Sequence, residues 1–217
     1  FVDAANYFDY YSGLTDKLEG QTIPVSKGIV DYTVLEPYGV SAHVIPWNYP
    51  IVLFARSVAV NLVVGNTSVV KPPELCPLSS NYFGKVFEIV GMPKGIVNIV
   101  HGYGYKVGDA LSRHPDVPII SFTGGTATGE KIASAAAPMF KKLSLEMGGK
   151  NPNIVFADAN FEKAVSTAVR AAFTNQGQIC LCGSRLFVQE EIYNKFKTAL
   201  VTKTSNLKVG DPKDASS

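Results

Sequence analysis

From Val40 onward the hydrophobic and polar positions alternate between two regimes. Short β-prone runs fall at residues 40–45, 67–71, 96–100, 118–122 and 143–146. Between them, apolar residues recur at helical spacing near 50–64, 76–90, 105–114 and 126–137. Strand, turn and helix repeated in this order predict a doubly wound parallel sheet with helices on both faces, a Rossmann-like α/β fold. After the break at Gly148-Gly149 the same alternation resumes. A strand (153–156), a helix (160–174), a strand (185–188) and a helix (189–204) read as the start of a second α/β domain, closed by a Gly-Asp-Pro turn and Ser216-Ser217. Upstream, Phe1, Ala5, Phe8 and Tyr11 mark the end of a helix stopped by Gly13. Thr22 to Val25 and Val30 to Leu35 form two β-prone runs around Lys27-Gly28, a hairpin that caps the domain or pairs with another subunit. The expected divisions are therefore 1–19, 20–36, 37–148 and 149–217.

Composition narrows the function classes. With 217 residues, 46% apolar and 18% charged, the chain can bury a true core. A net charge of +2 gives no basic surface for nucleic acid or anionic lipid, so neither partner is expected. Arg56, Asn61 and several glycines interrupt the most apolar region before it reaches the roughly 18 to 20 residues of a membrane span. Three cysteines make no disulfide framework and favour a reducing compartment, taken as the cytoplasm. The chain opens on Phe1, which suggests a piece of a longer protein.

Candidate chemistry concentrates in a few stretches. NQGQICLCGSR (175–185) sets Cys180 and Cys182 one residue apart after a helix. That spacing is too short for a redox pair, and with only Cys76 elsewhere too sparse for zinc, so no metal is expected. A lone nucleophile and a buried structural thiol are the readings left. KKLSLEMGGK (141–150) alternates as a strand and delivers Glu146 at its exit. A lone carboxylate among apolar neighbours there should hold its proton more tightly than usual and act as a general base near neutrality. His101-Gly-Tyr-Gly104 with Gly108, and Phe122-Thr123-Gly124-Gly125-Thr126-Ala-Thr-Gly129, each link a strand to a helix. Either is a phosphate-holding turn or a plain tight connection, and neither is a P-loop. Lys71 and Glu74, in VVKPPE, fall at a strand end facing the ligand edge or ordinary solvent. Trp47 and Asn48 sit in PWNYP, where the Asn48 amide is a fixed donor or bonds its own backbone. His43, His101 and His114 lack ligand spacing and read as structural.

The successive segments IPWNYP (45–50), VVKPPE (69–74), SFTGGTATG (121–129), LEMGGKNP (145–152) and NQGQICLCGSR (175–185) resemble the signatures of the NAD(P)-dependent aldehyde dehydrogenases, in order. Within that family, RHPDVPIISFTG, KKLSLEMGGKNP and ICLC look most similar to the 2-aminomuconic semialdehyde dehydrogenases. The resemblance runs along the chain and covers the middle of an enzyme about twice as long. It implies Cys180 as the nucleophile, Asn48 and the Cys180 amide as oxyanion donors, and Glu146 as the base that activates water. It implies cofactor contacts at Trp47, Lys71, Glu74, Gly104, Gly108, Phe122, Thr123, Gly124, Gly125, Thr126 and Gly129, with NAD favoured over NADP by the Glu74 carboxylate. Gly125 stands where the family commonly has a serine, which leaves backbone amides or Thr126 to hold the diphosphate. The family's nicotinamide-ribose glutamate has no match in the chain. The resemblance further implies an aldehyde substrate, a cofactor domain at 37–148, the first part of a catalytic domain at 149–217, and a homodimer or homotetramer. Residues 1–217 alone are expected to be catalytically silent, with Phe156, Phe173, Phe187 and Phe196 lacking part of their cover. A non-catalytic structural protein of the crystallin kind and a cofactor-independent thiol esterase are the alternatives from other classes.

Overall fold

The computed structural model describes residues 1–214; the serines at 216 and 217 lie outside them. The chain divides into two compact units, Phe1–Met147 and Gly148 onward.

The first unit is built on a five-stranded parallel sheet. Its strands are β3 (Val40–Val44), β4 (Thr67–Lys71), β5 (Val97–Ile99), β6 (Ile119–Thr123) and β7 (Lys142–Glu146), in spatial order β5-β4-β3-β6-β7. The connections run outward from β3 in one direction and from β6 in the other. The carboxyl ends of β3 and β6 therefore flank a topological switch point, where a doubly wound sheet leaves a crevice. Strand periodicity sorts the side chains between two cores. Ile45 and Val70 pack with Ala4, Phe54, Ala55, Val58 and Phe83, whereas Ala42, Val44, Ile120 and Phe122 pack with Ile132 and Ala136. The first core is sealed by helices α1 (Val2–Ser12), α2 (Pro50–Val63) and α3 (Leu78–Ile89), the second by α5 (Thr126–Ala136). Phe54 and Phe83 stack with centroids 4.3 Å apart, locking α2 to α3.

Several expectations shift in detail. In α1 the inward position is Ala4, with Tyr7 and Phe8 beside it, and Ala5 is exposed, because the helix turns its Ala4 side toward α2. The hairpin closes only as Thr22–Ile23 (β1) against Asp31–Tyr32 (β2), antiparallel and exposed. The helix anticipated at 105–114 is a π-helical turn, Gly104–Gly108, followed by the five-residue α4 (Asp109–Arg113). Wide turns of this kind recur at functional sites.

The second unit pairs β8 (Pro152–Val155) with β9 (Arg185–Val188) in parallel. Helices α6 (Phe161–Phe173) and α7 (Tyr193–Ser205) cover one face. Asn160 caps α6, its side-chain oxygen accepting from Lys163 N–H at 3.0 Å. The core is Val155, Val165, Ala168 and Phe196. Phe196 is thus buried (1% exposed), contrary to expectation, because α7 turns it onto α6 and the Phe161 ring. Phe156, Phe173 and Phe187 are exposed.

Candidate active site

Every candidate site residue of the first unit lies at the carboxyl edge of its sheet. The chain leaves β3 through Ile45-Pro46, and Pro50, at the start of α2, fixes where that helix begins. Trp47 and Asn48 occupy the turn between. Asn48 Oδ1 accepts from Tyr49 N–H at 3.1 Å, which ties down the amide orientation, as the turn-asparagine alternative requires. Trp47 is half exposed, and its carbonyl accepts from Cys76 Sγ at 3.5 Å. Partial burial pushes the Cys76 thiol up from its ordinary range, so this cysteine is not an activated nucleophile.

Lys71 ends β4 and is buried, not the solvated strand end it could have been. A buried ammonium needs partners, and Nζ donates to Pro72 O and to Glu74 Oε2, both at 2.8 Å. Gly104 N–H donates to the other Glu74 oxygen, Oε1, at 3.4 Å. The Lys71 hydrogen bond, with the backbone amides behind it, holds the Glu74 carboxyl below the usual range. Gly108 is buried beside the Lys71 stem, a Cβ there falling 4.0 Å from Cδ. The end of β4 and the π-turn thus converge on one ionised carboxylate with an ammonium beside it.

The turn after β6 presents backbone. Gly124 N–H donates to Glu146 O at 3.0 Å, tying the β6 and β7 exits together. A Cβ at Gly124 would strike the Phe122 ring at 2.5 Å, and one at Gly129 would meet Met147 Sδ at 2.7 Å, so a larger residue at either place would require the Phe122 ring or the Met147 side chain to shift. Gly125 opens α5 without a side-chain cap and borders open space. Thr126 follows it exposed, and Thr123 is half-buried on β6. The start of this eleven-residue helix has the N–H groups and dipole suited to a phosphate.

Glu146 departs from expectation. It is not a lone carboxylate among apolar groups: its side chain is 53% exposed, and Oε1 lies 3.2 Å from Arg56 Nη2 on α2. In the sequence Arg56 shows only as an interruption of an apolar run, since nothing in the strand pattern of 142–146 points to a partner on α2. Of the histidines, His101 Nε2 contacts Asn81 Oδ1 at 2.7 Å. His43 is buried in β3 with neither ring nitrogen bonded, and burial pushes it down to about 4.

Cys180 belongs to the second unit. Asn175, Gln176 and Gly177 all take positive φ (51°, 55° and 74°), three successive left-handed residues that stop α6 and turn the chain. For glutamine this conformation is uncommon and costs energy, the kind of strain retained where a loop must hold a fixed course. Beyond it Cys180 is exposed, whereas Cys182 is buried with Sγ directed at Ala172 O, 3.8 Å away. The two thiols are thereby separated into an accessible and a structural one. Asn151, in the GGKNP segment, donates from Nδ2 to Cys180 O at 2.6 Å and to Cys182 O at 3.1 Å. A Cβ on Gly149 would approach Cys180 O to 2.9 Å. Gly149 and Asn151 therefore brace the cysteine loop, a role detectable in sequence only as an asparagine following a double glycine. Among the described residues no cluster of His, Cys, Asp and Glu could hold a metal.

The aldehyde dehydrogenase family model matches residues 1–217, and the chain belongs to that family. It is 45% identical over 208 residues to hydroxyisobutyraldehyde dehydrogenase of Mycolicibacterium austroafricanum, covering 96% of this chain and 41% of that one. It is 49% identical over 189 residues to 2-aminomuconic semialdehyde dehydrogenase of Danio rerio, covering 87% and 39%. The NAD+ complex of aldehyde dehydrogenase from Bacillus cereus superposes with a TM-score of 0.95 at 42% identity, covering 96% of this chain and 43% of that one. The chain spans about two fifths of the length of the curated relatives it matches.

Proposed function

We propose that the protein carrying this chain oxidises an aldehyde to its carboxylate with NAD, through a thiohemiacetal and a thioester on Cys180. The observation that carries the reading is the division of the two thiols: Cys180 is exposed at the end of a braced, left-handed turn, while Cys182 is buried. In this reading the Cys180 thiolate attacks the aldehyde carbon, and the Asn48 amide with the Cys180 backbone N–H stabilises the oxyanion. NAD, when bound, supplies the acceptor that converts the adduct into a thioester. Glu146 takes the proton of the water that releases the acid.

The cofactor fits the first unit's own groups. Glu74 offers ribose hydroxyls an ionised acceptor, and Lys71, with two of its three donors engaged, retains one for the same sugar. A 2′-phosphate would meet the Glu74 carboxylate, which favours NAD over NADP. The glycine turn and α5 start, 124–126, suit the diphosphate, with Gly125 leaving that task to amides and Thr126. Trp47, Phe122, Thr123, Gly104, Gly108 and Gly129 shape the same edge. Residues 37–148 then act as cofactor domain and the part from 149 belongs to the catalytic domain. The exposed β1–β2 hairpin suits subunit pairing in a homodimer or homotetramer.

The test is to mix the enzyme with NAD and a series of aldehydes, following the reduced-nicotinamide absorbance and assaying the acid product. Absorbance rising together with acid is expected. Acid release without NAD would instead identify a thiol esterase, and no reaction with any aldehyde would remove the catalytic reading.

A further inference from the structure

We propose that Arg56 is a positioning residue for Glu146, anchoring one carboxylate oxygen so that the other is aimed at the deacylating water; this rests on Glu146 being the base. The backbone of Glu146 is fixed, since its carbonyl accepts from Gly124 N–H at 3.0 Å and its strand is in register with β6, Thr123 opposite Glu146. Its side chain has no such support from the strand. It is half exposed, the same-face residues Thr123 and Ser144 are neutral, and two glycines follow Met147. The restraint comes from α2, where Arg56 Nη2 meets Oε1 at 3.2 Å. A half-exposed pair of this kind adds at most about 1 kcal/mol to stability. What it changes is orientation: the contact engages Oε1 and leaves Oε2 to accept a proton.

The helix carrying Arg56 is the one whose start is set by the Asn48 turn, about two turns earlier. The proposed oxyanion donor thus sits in the turn that leads directly into the helix carrying the base anchor, and a base held this way loses little rotamer freedom on meeting the acyl-enzyme. In the step concerned, water oxygen bonds to the thioester carbonyl carbon as its proton passes to Glu146 Oε2. The C–S bond then breaks, Cys180 leaves as thiolate, and the carboxylic acid is formed without further redox change.

The experiment follows formation and decay of acylated Cys180 by quenched-flow mass spectrometry in the enzyme with NAD and aldehyde. It compares wild type, Arg56→Ala, Arg56→Lys, Glu146→Gln and the double variant Arg56→Ala/Glu146→Gln. Arg56→Ala is expected to slow decay about tenfold, within the range that misplacement of a catalytic group causes. The rate of acyl formation and the aldehyde concentration that half-saturates it should change less than about twofold, and Arg56→Lys should recover most of the decay rate. In the Glu146→Gln background, Arg56→Ala should add nothing. Decay unchanged in Arg56→Ala while Glu146→Gln is slow would overturn the positioning role and leave the base intact. Slowed acyl formation in Arg56→Ala, or a full second loss in the double variant, would overturn it as well. Normal decay in Glu146→Gln would instead remove the base reading, and the proposal with it.

Discussion

The two units place their chemistry by opposite means. In the first, a five-stranded parallel sheet is covered on both faces by separate cores, and the candidate groups sit at strand ends whose positions the sheet dictates. In the second, a two-stranded parallel sheet is covered on one face only. Ile154, Phe156 and Phe187 remain 60%, 61% and 55% exposed, although parallel strands ordinarily bury both sides. Cys180 there is held by loop devices: left-handed residues, an asparagine bridging two carbonyls, and a glycine with no room for a side chain. The proposed cofactor contacts are thus spread over many strand ends, each replaceable in part. A nucleophile on a braced loop depends on one residue.

That contrast is sharpest in the thiols. Cys180→Ser should lower aldehyde oxidation by at least about a thousandfold, since the proposed nucleophile is lost. Cys182→Ser should keep most of it, and equal losses in the two variants would erase the distinction. Within the second unit, Phe196→Ala removes its largest buried side chain and should cost about 3 to 5 kcal/mol. Hydrogen exchange should accelerate in α6, α7 and β8 while β3 and β4 stay protected, so uniform acceleration would mean that the units do not open separately.

The first unit has its own weak point in His43, buried in the central strand without a partner. Its folded value of about 4 lies below the ordinary 6.5, so between these pH values the unfolded chain binds the extra proton. Stability is therefore complete above pH 6.5 and falls as the pH drops toward 4, by about 3 kcal/mol in all. His43→Leu should remove that part of the slope in denaturant titrations, and the lesser acid loss from the lowered Glu74 carboxyl should remain. An unchanged slope would place the acid sensitivity elsewhere. Smallest is Glu74→Gln, which should narrow the NAD over NADP preference by about tenfold, roughly 1.4 kcal/mol. A constant ratio of specificity constants would take the ribose role from Glu74.

Legibility in the sequence divides along the same line. Alternation and helical spacing locate all five strands of the large sheet to within a residue or two, because the inner strands β3, β4 and β6 carry buried β-prone runs and the edge strand β7 alternates regularly between half-buried and exposed positions. The same pattern cannot show that Gly104–Gly108 forms a π-turn, since that depends on how Lys71 and Glu74 pack beneath it. It leaves Glu146 solitary because the partner, Arg56, lies on a helix joined to it only by the fold. It assigns Phe196 to an open face because helix rotation is set by neighbours, here α6. The cysteine loop is visible as a motif. Its left-handed course through Asn175 and Gln176 is not, since glutamine seldom adopts that conformation.

The central claim of the proposed reading is that nucleophile and base are separate residues acting in separate steps, Cys180 in the attack on the aldehyde and Glu146 in the release of the acid. It is tested most directly by rapid mixing of the Glu146→Gln enzyme with saturating NAD and aldehyde, following reduced-nicotinamide absorbance. The predicted result is a fast burst close to one equivalent per active site, followed by turnover at least about a hundredfold slower than wild type. Absence of the burst, or steady turnover at the wild-type rate after it, would contradict the assignment of Glu146 to the release of the acid.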